Sequence, residues 1–147
     1  MMYRCLIANR GEIAVRIIRA CRELNIETVA IYAKGDENSL HVSLADQAIC
    51  IGEANPLDSY LNIDRIISAA KVTESNVIHP GYGFLSESTN FAKAVEDNHI
   101  HFIGPSKTTM EMMGDKITAR QTVKQAGVPV IPGSNDAVQL SLIHISE

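Results

Sequence analysis

The sequence predicts an α/β fold, a Rossmann-like doubly wound parallel sheet, on three observations. Short runs of apolar, often β-branched residues alternate with longer stretches of helical period along the chain. The short runs are apolar throughout rather than alternating with polar residues, the pattern of strands covered by helices on both faces of a parallel sheet. Turn-forming residues follow two of these runs directly, at Asn9-Arg10-Gly11 and at His79-Pro80-Gly81. In an open α/β sheet that is the crevice at the carboxyl ends of the strands, where ligands bind.

The elements follow in order. Cys5 to Ala8 is a continuous apolar run, and Ile13, Ile17, Cys21 and Leu24 come next at helical spacing, so a strand feeds a helix. Thr28 to Tyr32 and Ala48 to Ile51 read as further buried strands. Ile63, Ile66, Ile67 and Ala70 mark one face of a helix that Ser59 or Asn62 would cap. Val77-Ile78 runs as a strand into the loop at His79. Phe91, Ala92 and Val95 define another helix, and Ile100 to Ile103 a short strand closed by Gly104-Pro105. From Ser106 the pattern changes: Met110 and Met113 suggest a short helix, and Gly114-Asp115-Lys116 leads into one with Ala119, Val123 and Ala126 on one side, ended by Gly127. The following V-P-V-I-P-G-S reads as an extended connector, so a second domain is expected to begin near here.

Composition narrows the function classes. The chain has 147 residues, 46% hydrophobic and 20% charged, enough to fill one core and stay soluble. A net charge of -4 argues against nucleic acid as a partner, because neutralising phosphates needs a lysine and arginine excess. No apolar run approaches the roughly 20 residues that span a bilayer. Asn9, Arg10 and Glu12 break the start before a signal-peptide core can form, so the chain reads as cytoplasmic, without membrane contact. Cys5, Cys21 and Cys50 lack C-x-x-C spacing and sit among apolar neighbours; all three are expected to be reduced, small buried hydrophobes. No internal repeat or low-complexity segment occurs.

The loop His79 to Glu87, H-P-G-Y-G-F-L-S-E, is the strongest site signal. Gly81 and Gly83 can take positive φ and bring backbone amides close to a bound group. The common nucleotide motifs are absent: no G-x-x-x-x-G-K-[ST] occurs, and no G-x-G-x-x-G follows the first strand. G-Y-G-F-L-S from Gly81 only echoes the dinucleotide fingerprint, at the wrong place in the sheet.

Four motifs occur together and in order: I-A-N-R-G-E-I-A at Ile7 to Ala14, S-Y-L-N-I at Ser59 to Ile63, the His79 loop, and M-G-D-K at Met113 to Lys116. In that combination the chain resembles the N-terminal part of the biotin carboxylases, over about Tyr3 to Ser134. The same domain opens pyruvate, propionyl-CoA and related biotin-dependent carboxylases. The resemblance implies a pre-ATP-grasp domain over residues 1–114, followed by the truncated start of an ATP-grasp domain over 115–139. Residues 140–147, L-S-L-I-H-I-S-E, depart from the family and are expected to be a non-native tail resembling translated adaptor sequence, with a divergent strand as the alternative. The implied parent uses ATP, magnesium or manganese, and bicarbonate to carboxylate biotin on a biotin carboxyl carrier protein. This is the first half-reaction of acetyl-CoA carboxylase, run by a homodimer beside a carboxyltransferase. The short start favours a free-standing bacterial subunit.

The resemblance assigns roles residue by residue, each beside a plainer reading. Lys116 matches the lysine that contacts ATP phosphate, though it also reads as a solvated lysine at a helix start; there it opposes the helix dipole unless an anion is present. Tyr82 and Gly83 match the biotin-facing loop, or form a tight turn packing Tyr82 onto the sheet. Glu87 faces the cleft, or simply favours the start of the next helix. Arg16, Arg19 and Glu23 match the homodimer surface, or form a solvated face on which Arg19 and Glu23 pair. His79, extended by Pro80, reads as a strand-end histidine rather than a base. Asn9, Arg10 and Glu12 read as capping the first helix rather than touching substrate. No catalytic residue and no metal ligand is expected in this chain, which alone should be inactive. The competing class is a stand-alone Rossmann-like nucleotide-binding module; another ATP-grasp ligase ranks below, lacking the combined N-R-G-E and H-P-G-Y-G-F signals.

Overall fold

A computed structural model describes residues 2–132; the expected tail at 140–147 and residues 133–139 lie outside them. Five parallel strands form one sheet in the order β3-β2-β1-β4-β5. β1 (Arg4–Ile7) is central, with Cys5 aligned to Thr28 on one neighbour and to Val77 on the other. Its apolar run is fully enclosed: Leu6 and Ile7 are 0% exposed.

α1 (Gly11–Glu23) buries Ala14, Val15, Ile17, Ile18 and Cys21; of the stripe expected from the spacing, Ile17 and Cys21 are buried and Ile13 is half-buried. Leu24, placed on the same stripe by spacing, is exposed instead. The helix ends at Glu23, and Asn25 turns the chain away with φ of 55°. β2 (Glu27–Ala33) follows, then a helix of only five residues, α2 (Leu40–Leu44), too short to show a period and not foreseen. It buries His41, whose Nε2 lies 3.0 Å from the Ile31 carbonyl oxygen.

β3 (Gln47–Gly52) corrects an expectation: it is a margin strand paired only with β2, and Gln47, Ala48 and Cys50 are exposed despite their apolar setting. Cys50 is therefore not a buried hydrophobe, whereas Cys5 and Cys21 share the core between β1 and α1. The neighbouring Cys21 thiol, with burial, pushes the Cys5 thiol up, and the nearby Cys5 thiol draws the Cys21 thiol down. Thiolates, not thiols, are alkylated. Native iodoacetamide labelling read by intact mass is expected to add one group, at Cys50, and three only after unfolding; fast labelling of Cys5 would contradict this packing.

A single 3-10 turn, Pro56–Asp58, precedes α3 (Ile63–Val72). Asn62 supplies the cap, accepting the Arg65 N–H at 3.1 Å, while buried Ser59 donates its hydroxyl to the Asn55 carbonyl at 2.9 Å. β4 (Val77–His79), α4 (Thr89–Asp97) and β5 (His101–Phe102) complete the sheet unit, with Ser88 capping α4 through the Phe91 N–H. Phe91 meets Phe102 edge to face with ring centres 5.9 Å apart, the geometry aromatic quadrupoles favour.

The described residues divide into two compact units, 2–107 and 108–132. α5 (Lys107–Gly114) ends where the second unit's α6 (Lys116–Gln125) is capped by Asp115, which accepts the Thr118 N–H at 2.8 Å. Gly127, with φ of 78°, stands one residue beyond the C-cap. The Val128 N–H then reaches the Val123 carbonyl and the Gly127 N–H that of Lys124, a Schellman closure.

Candidate functional site

The strand order places the site. From β1 the chain winds outward through β2 and β3 on one side, and β5 extends the sheet beyond β4 on the other, so β1 and β4 flank the point where the winding reverses. The loops leaving these two strands, Asn9 to Glu12 and His79 to Phe84, meet there around a pocket of about 370 Å3. Of two larger hollows, one of about 520 Å3 beside β3 lies away from the convergent loops, and one of about 490 Å3 between α1 and α2 shares Gly11 and Glu12 with the first loop but no residue of the His79 loop.

Asn9 joins the two loops. It is 3% exposed, and its Nδ2 donates to the Pro80 and Tyr82 carbonyls, each at 2.8 Å. Its Oδ1 accepts the Arg10 N–H at 2.9 Å, so the side chain is satisfied at both ends. It does not cap α1, whose cap position, Arg10, makes no side-chain capping bond. The capping expectation is thus corrected: the asparagine continues the sheet's pairing beyond β1, where Ala8 N–H still reaches the His79 carbonyl.

His79 is the strand-end histidine expected. Its Nδ1 accepts the Gly81 N–H at 3.0 Å, which assigns the proton to Nε2 in the neutral ring. Burial holds its pKa below the ordinary 6.5. The unfolded chain therefore binds this proton more readily, so stability is complete above pH 6.5 and declines as pH falls from 6.5 through the folded value. The denaturant midpoint is expected to drop over that window, and His79→Gln to flatten the drop; an equal slope in the variant would exclude His79 as its source.

Gly81 and Gly83 each have φ of 67°, and Phe84 follows at 42°. Tyr82 is 61% exposed rather than packed on the sheet, and its hydroxyl donates to Glu12 Oε2 at 3.2 Å. Glu12 Oε1 in turn receives Arg16 Nε at 2.5 Å. The N–H groups of Tyr82, Gly83 and Phe84 meet no acceptor among the described residues. The loop thus offers an aromatic face and free backbone donors, fitted to a flat polar group that carries a carbonyl oxygen or negative charge.

The other expected residues are placed separately. Glu87 is exposed just before the α4 cap and does not line the pocket, which favours its helix-start reading. Lys116 is exposed at the first position of α6 in the second unit, with no ion pair among the described residues. Arg16, Arg19 and Glu23 are exposed on α1, but Arg16 pairs with Glu12, and no Arg19–Glu23 pair forms. Sequence reasoning missed Asn9 as the clamp and Phe84 as part of the pocket. A lone amide closing an apolar strand was the available signal; its partners needed the β1–β4 pairing.

Comparison with known proteins agrees with this architecture. The family described as biotin carboxylase, N-terminal domain, matches residues 1–110. Biotin carboxylase 1 of Bacillus subtilis is 55% identical over 139 residues, 95% of this chain and 31% of that protein. The pyruvate carboxylase of the same organism is 53% identical over 90% of this chain and 12% of its own length. Among solved structures, the biotin carboxylase domain dimer of Hydrogenobacter thermophilus 2-oxoglutarate carboxylase, in complex with MgADP, ADP and bicarbonate, superposes with a TM-score of 0.86. It shares 51% identity over 92% of this chain and 30% of that one. The chain spans about a third of the length of the curated biotin carboxylases it matches. With four motifs in register, a parallel sheet in this strand order and the family match across residues 1–110, the chain belongs to the biotin carboxylase N-terminal domain family.

Proposed function

We propose that this chain is the first domain of an ATP-dependent biotin carboxylase, with residues 1–114 as the pre-ATP-grasp domain and 115–139 opening the ATP-grasp domain. In that reading its own part is to present biotin rather than to perform the chemistry. The observation that carries it is the Asn9-clamped loop, whose Tyr82 ring and free Tyr82 and Gly83 N–H groups suit the ureido ring of biotin. Lys116 would meet ATP phosphate, supported by an ammonium that has no ion pair among the described residues and stands in the first turn of α6, where the helix dipole draws an anion. Among the described residues no group of three His, Cys, Asp or Glu could hold a metal ion. As the resemblance implies, magnesium or manganese and the base for bicarbonate belong in this reading to the rest of the parent.

A biotin carboxyl carrier protein would deliver the biotin and a carboxyltransferase would take up the product. A second copy would meet Arg16, Arg19 and Glu23, supported by their exposure and by the dimer described for the Hydrogenobacter thermophilus relative. No described helix is long and apolar enough to cross a membrane, and a cytoplasmic location goes with the reading. The identity to a pyruvate carboxylase favours, as second reading, the opening of that longer enzyme.

The test joins the chain through residue 132 to the remaining part of Bacillus subtilis biotin carboxylase 1. The chimera is expected to hydrolyse ATP in a bicarbonate- and biotin-dependent manner, while the 147-residue chain alone binds ATP weakly and hydrolyses none. Tight ATP binding by the chain alone would instead support a self-sufficient nucleotide-binding module.

A further inference from the structure

We infer that Arg10 is a positioning residue for the glycine loop, acting through Phe84 to fix how the Gly83 N–H is presented; this rests on the biotin-facing reading of that loop. Phe84 holds φ of 42°, a left-handed conformation that a residue with a Cβ keeps only when its surroundings over-determine it. The surroundings that do so form a closed circuit. The Phe84 ring stacks on Tyr60 with centres 5.2 Å apart and planes 19° from parallel. The Arg10 guanidinium lies over both, 5.2 Å from the Tyr60 ring centre and 5.8 Å from that of Phe84. Its Nη1 is held 3.2 Å from Asp36 Oδ2, the same oxygen that accepts the Tyr60 hydroxyl at 2.6 Å. Tyr60, 0% exposed, takes the Ala33 N–H at 3.0 Å and so ties the circuit to the sheet.

The four members come from different parts of the chain: Arg10 follows β1, Asp36 follows β2, Tyr60 precedes α3 and Phe84 follows β4. The circuit therefore ties the loop after β4 to the ends of β1 and β2 and to the approach to α3 at once. A partly exposed Arg–Asp pair by itself contributes little. What gives Arg10 its purchase on the loop is the planar cation over two rings, because a guanidinium carries the charge that draws it to their faces and a carboxamide carries none. Asp36 stays charged, its pKa held below the usual carboxylate value by the Tyr60 hydroxyl and then by Arg10, so the anchor persists across the neutral range.

The experiment measures amide hydrogen exchange by NMR on the full 147-residue chain. The reporter is the Ser86 N–H, which donates to the Gly83 carbonyl at 2.9 Å and closes the turn containing Phe84. Arg10→Gln is expected to speed Ser86 exchange about fivefold, the size of a partly exposed cation–π contact, while Leu6 and Ile31 amides in the core keep their rates. In a Phe84→Gly background, where the left-handed conformation needs no support, Arg10→Gln should add nothing. Unchanged Ser86 exchange, an equal acceleration in the Phe84→Gly background, or a matching rise at Leu6 and Ile31 would each overturn the inference. The biotin reading is separated by the chimera: there Arg10→Gln should raise the KM for free biotin about fivefold and leave kcat unchanged. A loosened loop with an unmoved KM would keep the positioning role and remove biotin as the loop's ligand.

Discussion

Gly52→Ala is expected to destabilise the first unit by about 4 kcal/mol, lowering its melting temperature by some 15–30 °C. Gly52 closes β3 with φ of 149°, a backbone region that residues with a side chain rarely enter. A Cβ built there would stand 2.1 Å from the Asp58 carbonyl oxygen and 2.7 Å from Arg65 Nη1. The arginine end can swing away, but the carbonyl belongs to the turn that sets Ser59 and Tyr60 in the core, so relief requires moving buried backbone. Gly52 also gives its carbonyl to the Lys34 N–H at 2.8 Å, and Arg65 Nη1 donates to the Ile51 carbonyl at 3.1 Å, bonds that a shift would loosen. Gly11→Ala is the control: φ is 66° but nothing lies within 4 Å of the added Cβ, so only backbone strain of about 1–2 kcal/mol remains. Circular-dichroism melts of the two variants separate clash from strain. Equal small losses in both would show that the β3 end yields.

The fold was legible because the interior strands and long helices carry strong local signals. β1, β2 and β4 are apolar where the sheet encloses them, Thr28 excepted, and α1, α3 and α4 bury residues at helical spacing. What misled was position within the sheet: Ala48 to Ile51 has the composition of an enclosed strand, yet β3 has a neighbour on one side only, and nothing local to Cys50 reports that. α2 was unreadable for a different reason, since five residues cannot display a period of 3.6. In the site, the glycines announced their left-handed backbone, but Phe84 did not, because its conformation is imposed by Tyr60 and Arg10 from distant parts of the chain. Asn9 belongs to the same class: its partners lie more than seventy residues away, at Pro80 and Tyr82.

Gly81→Ala carries the second large effect and bears directly on function. At φ of 67° the new Cβ would lie 2.8 Å from Asn9 Nδ2 and 3.2 Å from Asn9 Cβ and Cγ. Asn9 cannot simply rotate, because it is buried and both its amide hydrogens are committed to loop carbonyls. Left-handed strain of about 1–2 kcal/mol and the weakening of one or both bonds, each worth about 1 kcal/mol, sum to a loss of about 2–4 kcal/mol. The loop would move off Asn9 and carry Tyr82 and Gly83 with it, so biotin-dependent turnover in the chimera should fall at least about tenfold, one factor of ten being about 1.4 kcal/mol of lost binding. Gly83→Ala makes the contrast: φ is again 67°, but nothing lies within 4 Å, so the added methyl occupies the open face of the loop. It should spare most of the stability while still impairing biotin use. A double-mutant cycle locates the cause, since Asn9→Ala removes the amide atoms that the new methyl would strike, and Asn9→Ala with Gly81→Ala should then cost measurably less than the two changes summed. Strict additivity would mean that the Asn9 clamp is not what Gly81 accommodates. Wild-type biotin kinetics in the Gly81→Ala chimera would remove the loop from the binding site altogether.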